Sequence, residues 1–479
     1  MNNSYKILYG AVLACAGCLI ADAKVTFGSI FSDNMVLQQN ANVKLRGTAK
    51  PGSNVKVKAS WGAKPLTVKS DGDGNWAVML ATPAAGGPFT ITASDRDGET
   101  ELTNVLTGDV WFCGGQSNME MPMRGYAGQP AEGTIDYIMK ADAKRPLRLF
   151  HQEKEWSTTP RGEVAGGEWQ VETPATVGDF SAVGYVFGDY IQDVLDIPVG
   201  LIHCNWGNSK IESWMPAEAF KKNFPEIELP AVDATEFGWL EGTPTLLYNG
   251  MINPWDGFPV KGVVWYQGEA NNPYPELYPR LFPVMKQEWE KIFANDSLPF
   301  YYVQLAPFNA EGPREFNYAN FRQAQVEIQR NVPDVSMVSI GDLGDSIFIH
   351  APKKVKVGQR LAYQALDRTY GHKGGDVYTP IATAASYNPE NHEIWVTFEN
   401  SGHGMVPTQC TLSGFEVVDA DGNIYDVTEA RASGGNGVKV ISPIDDPVEV
   451  RYCHRNYYES SLFNNSGIPA SPFKLKLSK

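Results

Sequence analysis

The chain contains 479 residues, 43% of them hydrophobic and 20% charged, which is the composition of a folded globular protein. The length exceeds that of one compact domain and predicts two to four units of roughly 100 to 200 residues each. Acidic residues outnumber basic ones by 55 to 40, and the formal net charge of -15 leaves no basic surplus to neutralise phosphates, so a nucleic-acid partner is not expected.

The first 23 residues have the pattern of a secretory signal. A basic residue precedes the apolar stretch 7–21, which ends in the small-x-small sequence of a cleavage site. We therefore expect residues 1–23 to direct export to the periplasm or the extracellular space. An alternative hypothesis makes Cys15 the attachment site of a lipid anchor. No later stretch approaches the roughly 18 consecutive apolar residues of a spanning helix, so no transmembrane segment is predicted.

Residues 24–106 are predicted to form a small antiparallel β-sandwich. Segments such as 55–59 and 89–93 alternate apolar and polar residues, and turns rich in glycine and proline separate them. The sequence Asp-Gly-Asp-Gly at 71–74 has the start of a calcium loop but lacks its distal glutamate. We interpret it as a hairpin turn.

Residues 107–375 are predicted to form an α/β domain. Apolar strand-like runs lie at 109–113, 199–205, 262–266, 300–305 and 335–340. Helical patterns lie between or after them, at 185–195, 321–330 and 353–366. This alternation indicates a parallel sheet covered on both faces, which binds its ligand at the carboxyl ends of its strands.

Residues 376–479 return to period-two alternation and predict a C-terminal β-rich domain. The sequence leaves open whether Cys410 and Cys453 pair in this region.

Two glycines place a serine at the end of the first central strand. Gly114 and Gly115 let the backbone turn sharply, and Ser117 follows at the rim of the predicted sheet. A hydroxyl in this position suits nucleophilic chemistry. The turn alone is weak evidence, because serine is a common turn residue.

Several sequence blocks in the same order resemble the sialate O-acetylesterase family, a branch of the SGNH hydrolases. They are Gly-Gln-Ser-Asn-Met at 115–119, Asn-Trp-Gly at 205–207, Leu-Tyr-Asn-Gly-Met-Ile at 247–252, Trp-Tyr-Gln-Gly-Glu-Ala-Asn at 265–271, and Ile-His at 349–350 with Val-Gly-Gln-Arg-Leu at 357–361. The resemblance covers nearly the whole chain after residue 23. It implies a flavodoxin-like SGNH core at 107–375, between an Ig-like or jelly-roll-like β-sandwich and the C-terminal β-rich domain.

The resemblance implies a carboxylic ester hydrolase that releases acetate from an O-acetylated sialic acid through an acetyl-enzyme. Ser117 would be the nucleophile and His350 the base. The backbone N–H groups of Ser117 and Gly207 and the side-chain amide of Asn271 would form the oxyanion hole. The further substrate-binding candidates are Gln116, Arg124, Trp206, Gln267 and Glu269. Arg124 would face the sugar carboxylate.

The acid that should orient the histidine is missing from its usual place. SGNH enzymes usually carry Asp three residues before the histidine, and here that position is Ile347. Asp345 is the candidate substitute, with Asp342 or a backbone carbonyl as alternatives, the last leaving a Ser-His dyad. Glu269 is a further nearby carboxylate. Such a departure is also compatible with a weakened or inactive enzyme.

The expected partner is an O-acetylated carbohydrate. Two alternatives to a sialic acid substrate stay open: an esterase acting on acetylated xylan or another plant glycan, and a catalytically silent glycan-binding protein. No metal or cofactor is expected, because the sequence has no His-x-x-x-His cluster and the ester chemistry needs none.

Overall fold

The computed structural model describes residues 24–309 and 317–478; the signal predicted at 1–23 lies outside these ranges. The N-terminal region consists of short strands: β1 (Thr26–Phe27), β2 (Val36–Gln38), β3 (Asn42–Thr48), β4 (Asn54–Ala59), β5 (Leu66–Lys69), β6 (Asn75–Ala81) and β7 (Gly86–Asp95). Strand β3 pairs antiparallel with β1 and β6, and β4 pairs antiparallel with β5 and β7. Alternate residues of β3 and β4 are buried in one hydrophobic core, as the alternation predicts.

The Asp-Gly-Asp-Gly sequence forms a turn but not a hairpin. It connects β5 to β6, which pair with different partners. The Asp71 carboxylate closes the turn by accepting hydrogen bonds from the backbone N–H groups of Asp73 and Asn75, at 2.9 and 2.8 Å. The hairpin interpretation is wrong because a turn residue specifies the reversal of the chain and not which strands pair afterwards.

Strand β8 (Gly98–Gly115) joins the N-terminal region to the central domain without a linker. Its first part pairs with β7 and β2, and its last residues lie in the central sheet. The boundary predicted between residues 106 and 107 therefore falls inside a continuous strand. Asp109, 1% exposed, anchors this junction by accepting hydrogen bonds from Gln38, Gln39 and Tyr370.

The central sheet continues with β9 (Leu147–His151), β10 (Trp169–Val171), β11 (Val199–Asn205), β12 (Gly262–Tyr266), β13 (Phe300–Val303) and β14 (Val335–Val338). Its strand order is β10-β9-β11-β8-β12-β13-β14, and all neighbours are parallel except β10, which is antiparallel to β9. The prediction of a parallel sheet is confirmed. Strand β9 was not predicted, because its run is short and interrupted by Arg148.

The helices are α1 (Ser117–Glu120), α2 (Thr134–Lys140), α3 (Pro174–Asp179), α4 (Ala182–Leu195), α5 (Ala217–Asn223), α6 (Tyr278–Ile292), α7 (Tyr318–Asn331) and α8 (Lys354–Arg368). Single turns of 3₁₀ helix lie at Ile211–Trp214, Leu240–Gly242 and Asn253–Trp255, and a π-helical turn lies at Tyr248–Ile252. Helices α4 and α8 pack together on one face of the sheet, whereas α6 and α7 cover the other. Because β11 and β12 both lie parallel to β8, the carboxyl ends of the three strands lie together at one edge of the sheet.

The C-terminal region is a pair of four-stranded antiparallel sheets with a short two-stranded ladder. Its strands are β15 (Ile381–Asn388), β16 (Glu393–Glu399), β17 (Met405–Val406), β18 (Phe415–Val418), β19 (Ile424–Asp426), β20 (Ala430–Ala432), β21 (Gly437–Ile441), β22 (Glu449–Tyr452), β23 (Phe463–Asn464) and β24 (Phe473–Lys476). Arg322 of α7 is fully buried and donates to the carbonyls of Arg455 and Asn456, which ties this region to the core.

Cys410 is exposed, Cys453 is buried, and both are free thiols. Among residues 24–309 and 317–478, no helix is both long and apolar enough to cross a bilayer.

A substitution at Gly108, in the middle of β8, would test how closely this strand packs against its neighbours. A Cβ at Gly108 would lie 2.0 Å from the Pro198 carbonyl oxygen, a backbone atom that cannot rotate away. We expect Gly108→Ala to lower the free energy of unfolding by about 2 kcal/mol, measured by urea denaturation. Gly72→Ala is the matched control, because a Cβ there would meet no atom within 4 Å. Equal stabilities of the two variants would contradict this close packing.

Candidate active site

Three loops meet where β8, β11 and β12 end. Gly115 has φ +150°, and a Cβ there would lie 2.2 Å from the Tyr266 carbonyl oxygen, so only glycine fits. Gln116 then ties two loops together, because its Oε1 accepts from the backbone N–H groups of Gly268 and Ala270 at 3.2 and 3.3 Å. Ser117 follows as the first residue of α1 and is half-buried.

Tyr126 contacts both Ser117 and His350. The Tyr126 hydroxyl donates to the Ser117 carbonyl oxygen at 3.0 Å, and the Tyr126 ring packs against the His350 imidazole with ring centroids 5.1 Å apart. Asn118 makes a second connection by donating from Nδ2 to the Ile349 carbonyl oxygen at 3.1 Å. Within the described ranges, no hydrogen bond joins Ser117 Oγ to His350 Nε2; in serine hydrolases without substrate this contact is often loose and shortens in the reacting complex.

The partner of His350 Nδ1 is Gln129. The Gln129 side-chain oxygen Oε1 lies 2.6 Å from Nδ1, and an amide oxygen can only accept, so Nδ1 carries the proton. Nε2 is therefore the unprotonated nitrogen of the neutral ring.

Asp345, the substitute acid predicted from the sequence, does not contact His350. Its Oδ1 accepts from the backbone N–H groups of Ile347 and Phe348, at 2.7 and 2.9 Å, and thereby shapes the loop. Asp342, the alternative, forms a bidentate ion pair with Arg360, 2.6 Å at each oxygen. Both carboxylates satisfy local partners, and the structure corrects the expectation that one of them orients the histidine.

A buried hydrogen-bond network of Glu269, Asn118 and Lys354 lies beneath the site. Glu269 Oε1 accepts from Asn118 Nδ2 at 2.5 Å, and the Lys354 ammonium donates to Asn118 Oδ1. Burial raises the pKa of Glu269 and lowers the pKa of Lys354 to about 7. Glu269 Oε2 has no hydrogen-bond partner among the described residues. These hydrogen bonds join the turn that carries Ser117, the loop after β12 and the start of α8.

The electrostatic surroundings of His350 disfavour its protonated form. Burial, with a smaller contribution from the Lys354 cation, lowers the pKa of His350 from 6.5 to about 4. The imidazole is thus neutral at neutral pH and able to accept a proton.

The predicted oxyanion donors are arranged differently from one another. Gly207 N–H points at the Glu120 carboxylate, with 2.6 Å from N to Oε2, and a Cβ at Gly207 would lie 3.4 Å from Ser117 Cβ. Asn271 is 1% exposed and donates from Nδ2 to Glu212 at 2.8 Å. Gly207 therefore lies beside Ser117, whereas one amide hydrogen of Asn271 holds an internal contact.

The remaining predicted substrate-binding residues divide between packing and the rim. Gln267 donates from Nε2 to Ser209 O and to Asn271 Oδ1, and so braces the site from inside. Trp206 is partly exposed and lies under the Lys154 ammonium, 5.5 Å from its ring centroid. Lys154 also pairs with Glu120 at 2.6 Å. Arg124 is paired with Asp179 at 2.8 Å and is 57% exposed.

The other aromatic residues of the sequence blocks belong to the core. Trp111, Trp214, Trp265 and Tyr266 are each at most 1% exposed, so they cannot present a face to a sugar. Across the described parts of the chain, no cluster of three or more His, Cys, Asp or Glu side chains is arranged to hold a metal ion.

The residues that surround Ser117 and His350 were not predicted from the sequence. Tyr126 and Gln129 belong to a turn of no recognised block, and Lys354 looks like an ordinary lysine at a helix start. Glu120 directly follows the Gly-Gln-Ser-Asn-Met block, and this proximity to Ser117 was the one available signal.

Residues 107–367 match the family model described as carbohydrate esterase, sialic acid-specific acetylesterase, and residues 32–108 match a bacterial Ig domain. The chain belongs to this carbohydrate esterase family. Sialate O-acetylesterases from Mus musculus and Homo sapiens are 27% and 29% identical to it over 436 and 386 residues, covering 78% and 72% of this chain and 79% and 71% of theirs.

A solved structure of a carbohydrate acetylesterase from Xanthomonas citri is 33% identical and superposes with a TM-score of 0.83, covering 94% of this chain and 99% of that one. Together these similarities identify a carbohydrate O-acetylesterase, and so a carboxylic ester hydrolase. The predicted family is confirmed.

The buried network of Glu269, Asn118 and Lys354 should contribute to the stability of this carbohydrate esterase. Lys354→Met leaves the Glu269 carboxylate without its nearby cation, and we expect a loss of about 3 kcal/mol in the free energy of unfolding at pH 6, where Lys354 is protonated. Adding Glu269→Gln should restore part of the loss, because it removes the uncompensated charge. Lys356→Met on the exposed face of α8 is the control. Urea titrations in which both lysine variants lose equally would rule out a special role for the buried ammonium.

Proposed function

We propose that this esterase works through an acetyl-enzyme on Ser117. Ser117 Oγ attacks the acetyl carbonyl carbon while His350 Nε2 takes the hydroxyl proton. The tetrahedral intermediate collapses, the C–O bond to the sugar breaks, and the sugar oxygen receives the proton from His350. Water then attacks the acetyl-serine with the same base, and acetate leaves. Supporting this assignment are the meeting of Ser117 and His350 at Tyr126 and the unprotonated Nε2.

The oxyanion would bind at the N–H of Gly207, with Ser117 N–H and the Asn271 amide as further donors. The observation that favours Gly207 is the Glu120 carboxylate, an anionic oxygen held 2.6 Å from this nitrogen and beside Ser117. In the reacting complex the oxyanion replaces Glu120 Oε2, and Lys154 retains the displaced carboxylate through the ion pair that it already makes.

The proposed substrate is an O-acetylated sialic acid, as the names of the curated relatives suggest. A neutral acetylated plant glycan such as acetylxylan is the second candidate, and specific observations favour it. Arg124 is already paired with Asp179 and Lys154 with Glu120, so both cations near the site already hold a carboxylate. Family membership argues against the third alternative, a catalytically silent glycan-binding protein.

We also propose a flavodoxin-like SGNH core and export of the enzyme. Strands β11, β8, β12, β13 and β14 follow the order 2-1-3-4-5 of flavodoxin-like sheets, with β9 added at one side. Export to the periplasm or the extracellular space rests on the signal sequence at 1–23, with a lipid anchor at Cys15 as the alternative.

Removing the nucleophile should abolish turnover. We expect Ser117→Ala to lower kcat for a chromogenic acetate ester by about 10⁴-fold or more, with the fold intact by circular dichroism. Ser209→Ala in the neighbouring loop is a comparison for general loop damage, since Ser209 accepts from the Trp214 indole and supports packing. Turnover that survives Ser117→Ala would remove the nucleophile assignment.

Two acetylated polymers separate the substrate candidates. Acetate release from acetylated sialoglycoprotein and from acetylated xylan is measured at equal ester concentration, with Ser117→Ala as the blank. A higher kcat/KM on the sialoglycoprotein supports the sialic acid proposal. A higher kcat/KM on xylan would transfer the proposal to neutral glycans.

The pH profile should be unusually tolerant of acid. His350 must be neutral to accept the proton from Ser117, and its pKa is lowered from 6.5 to about 4. We therefore expect kcat/KM to stay level as pH falls through 6.5 and to decline only near pH 4, in assays that verify the folded state at each pH. An acid limb at the ordinary histidine pKa would contradict the described surroundings of His350.

A further inference from the structure

Among the described residues, the His350 ring contacts the Gln129 side chain and the Tyr126 ring, and neither is an acid. Its Nδ1 lies 2.6 Å from Gln129 Oε1, and its ring meets the Tyr126 ring at an interplanar angle of 63°. The Lys354 cation acts on the ring electrostatically and lowers the pKa of His350. The nearest carboxylate in sequence, Asp345, is occupied by backbone N–H groups. Within residues 24–309 and 317–478, Glu269 is connected to this region through Asn118.

Gln129 is presented by a tight turn. Tyr126 and Gln129 exchange backbone hydrogen bonds at 3.0 and 2.9 Å, and Gly128 between them has φ +74°, which this turn requires. The same turn thus carries both residues that touch the His350 ring from this side. Backbone hydrogen bonds close this turn, so the Gln129 side chain is not needed for its closure and contacts the His350 imidazole instead.

We propose that Gln129 is the positioning residue of the catalytic base, a neutral amide in place of the usual carboxylate. The inference rests on the proposed function, in which His350 accepts the Ser117 proton. Gln129 Oε1 accepts the Nδ1 proton, fixes the tautomer and aims Nε2 at the nucleophile. An amide oxygen does this without the negative charge that would stabilise the imidazolium.

The neutral partner has a chemical consequence. A carboxylate partner holds the ring and also makes it more basic, whereas an amide only holds it. The base is therefore weaker, but it stays unprotonated in acid. The lowered pKa of His350 agrees with this reading, because no anion opposes the effects of burial and of Lys354.

The test uses Gln129→Met and Gln129→Glu in the full-length enzyme, with the pH dependence of kcat and KM on a chromogenic acetate ester. Met has similar volume but accepts no comparable hydrogen bond, so we expect kcat to fall about 10²- to 10⁴-fold with KM little changed. Glu restores a carboxylate, so the acid limb of kcat/KM should move up by about one pH unit or more. Gln170→Glu, on the edge strand β10, adds the same charge away from His350 and should leave the limb in place.

A spectroscopic readout keeps the test independent of activity. Nitrogen-15 NMR of the histidine rings should show His350 as the Nδ1–H tautomer, with His350→Ala identifying its signal among the seven histidines. Gln129→Met should lose this preference. If Gln129→Met fails to fold, the proposal is tested by the His350 tautomer in the native enzyme and by the pH dependence of kcat/KM in Gln129→Glu.

Three results would overturn the proposal: an Nε2–H tautomer in the native enzyme, an unchanged pH limb and kcat in both Gln129 variants, or a collapse of kcat in Asp345→Asn without one in Gln129→Met. Failure of the proposed function has a different signature. In that case His350→Ala itself retains activity, whatever the Gln129 variants do.

Discussion

The close approach of Gly115 to the Tyr266 carbonyl is the constraint on which the site depends. With a Cβ excluded at 2.2 Å, β8 and β12 end side by side, and the chain leaves β8 in a direction that only glycine permits. Ser117 and the Glu269 loop are consequently neighbours. Because β8 begins in the N-terminal sandwich and pairs there with β7, the turn that carries Ser117 is supported over the length of an 18-residue strand.

A second constraint is the burial of ionisable groups around His350. Lys354 and Glu269 are buried and His350 is half-buried, and burial is the largest cause of each pKa shift. Charges in such surroundings are costly unless they are paired or neutralised. The site meets this requirement with amides: Asn118 connects Glu269 to Lys354, and Gln129 holds His350. A neutral amide at Gln129 places no anion against the His350 ring.

The parts of the fold set by local pattern could be predicted from the sequence. The runs 199–205 and 262–266 coincide with β11 and β12, because strands buried on both faces read as continuous apolar segments. The predicted helices at 185–195, 321–330 and 353–366 correspond to α4, α7 and α8. Helix α6 was not predicted, although Leu281, Met285 and Trp289 repeat at helical spacing. A proline inside such a pattern, here Pro283, normally indicates a helix end, but α6 continues through it.

The parts set by tertiary contact could not be predicted. Gln129 meets His350 across 221 residues of sequence, and a lone glutamine in a turn carries no signal of such a contact. The same holds for Glu120 and Gly207, which are separated by 87 residues. The motif blocks identified which loops matter, whereas the partners of His350 and Gly207 depend on how those loops pack. Asp345 was predicted because it is near His350 in sequence, and sequence proximity did not bring the two side chains together.

Acetyl transfer through Ser117 can be tested directly by rapid quenching followed by peptide mass analysis. During turnover of an acetate ester, we expect one acetyl group on the peptide containing Ser117, at the serine itself, and we expect the label to disappear when substrate is exhausted. We also expect no label in Ser117→Ala. An acetyl group on a different side chain that turns over at the catalytic rate would contradict a Ser117 acetyl-enzyme.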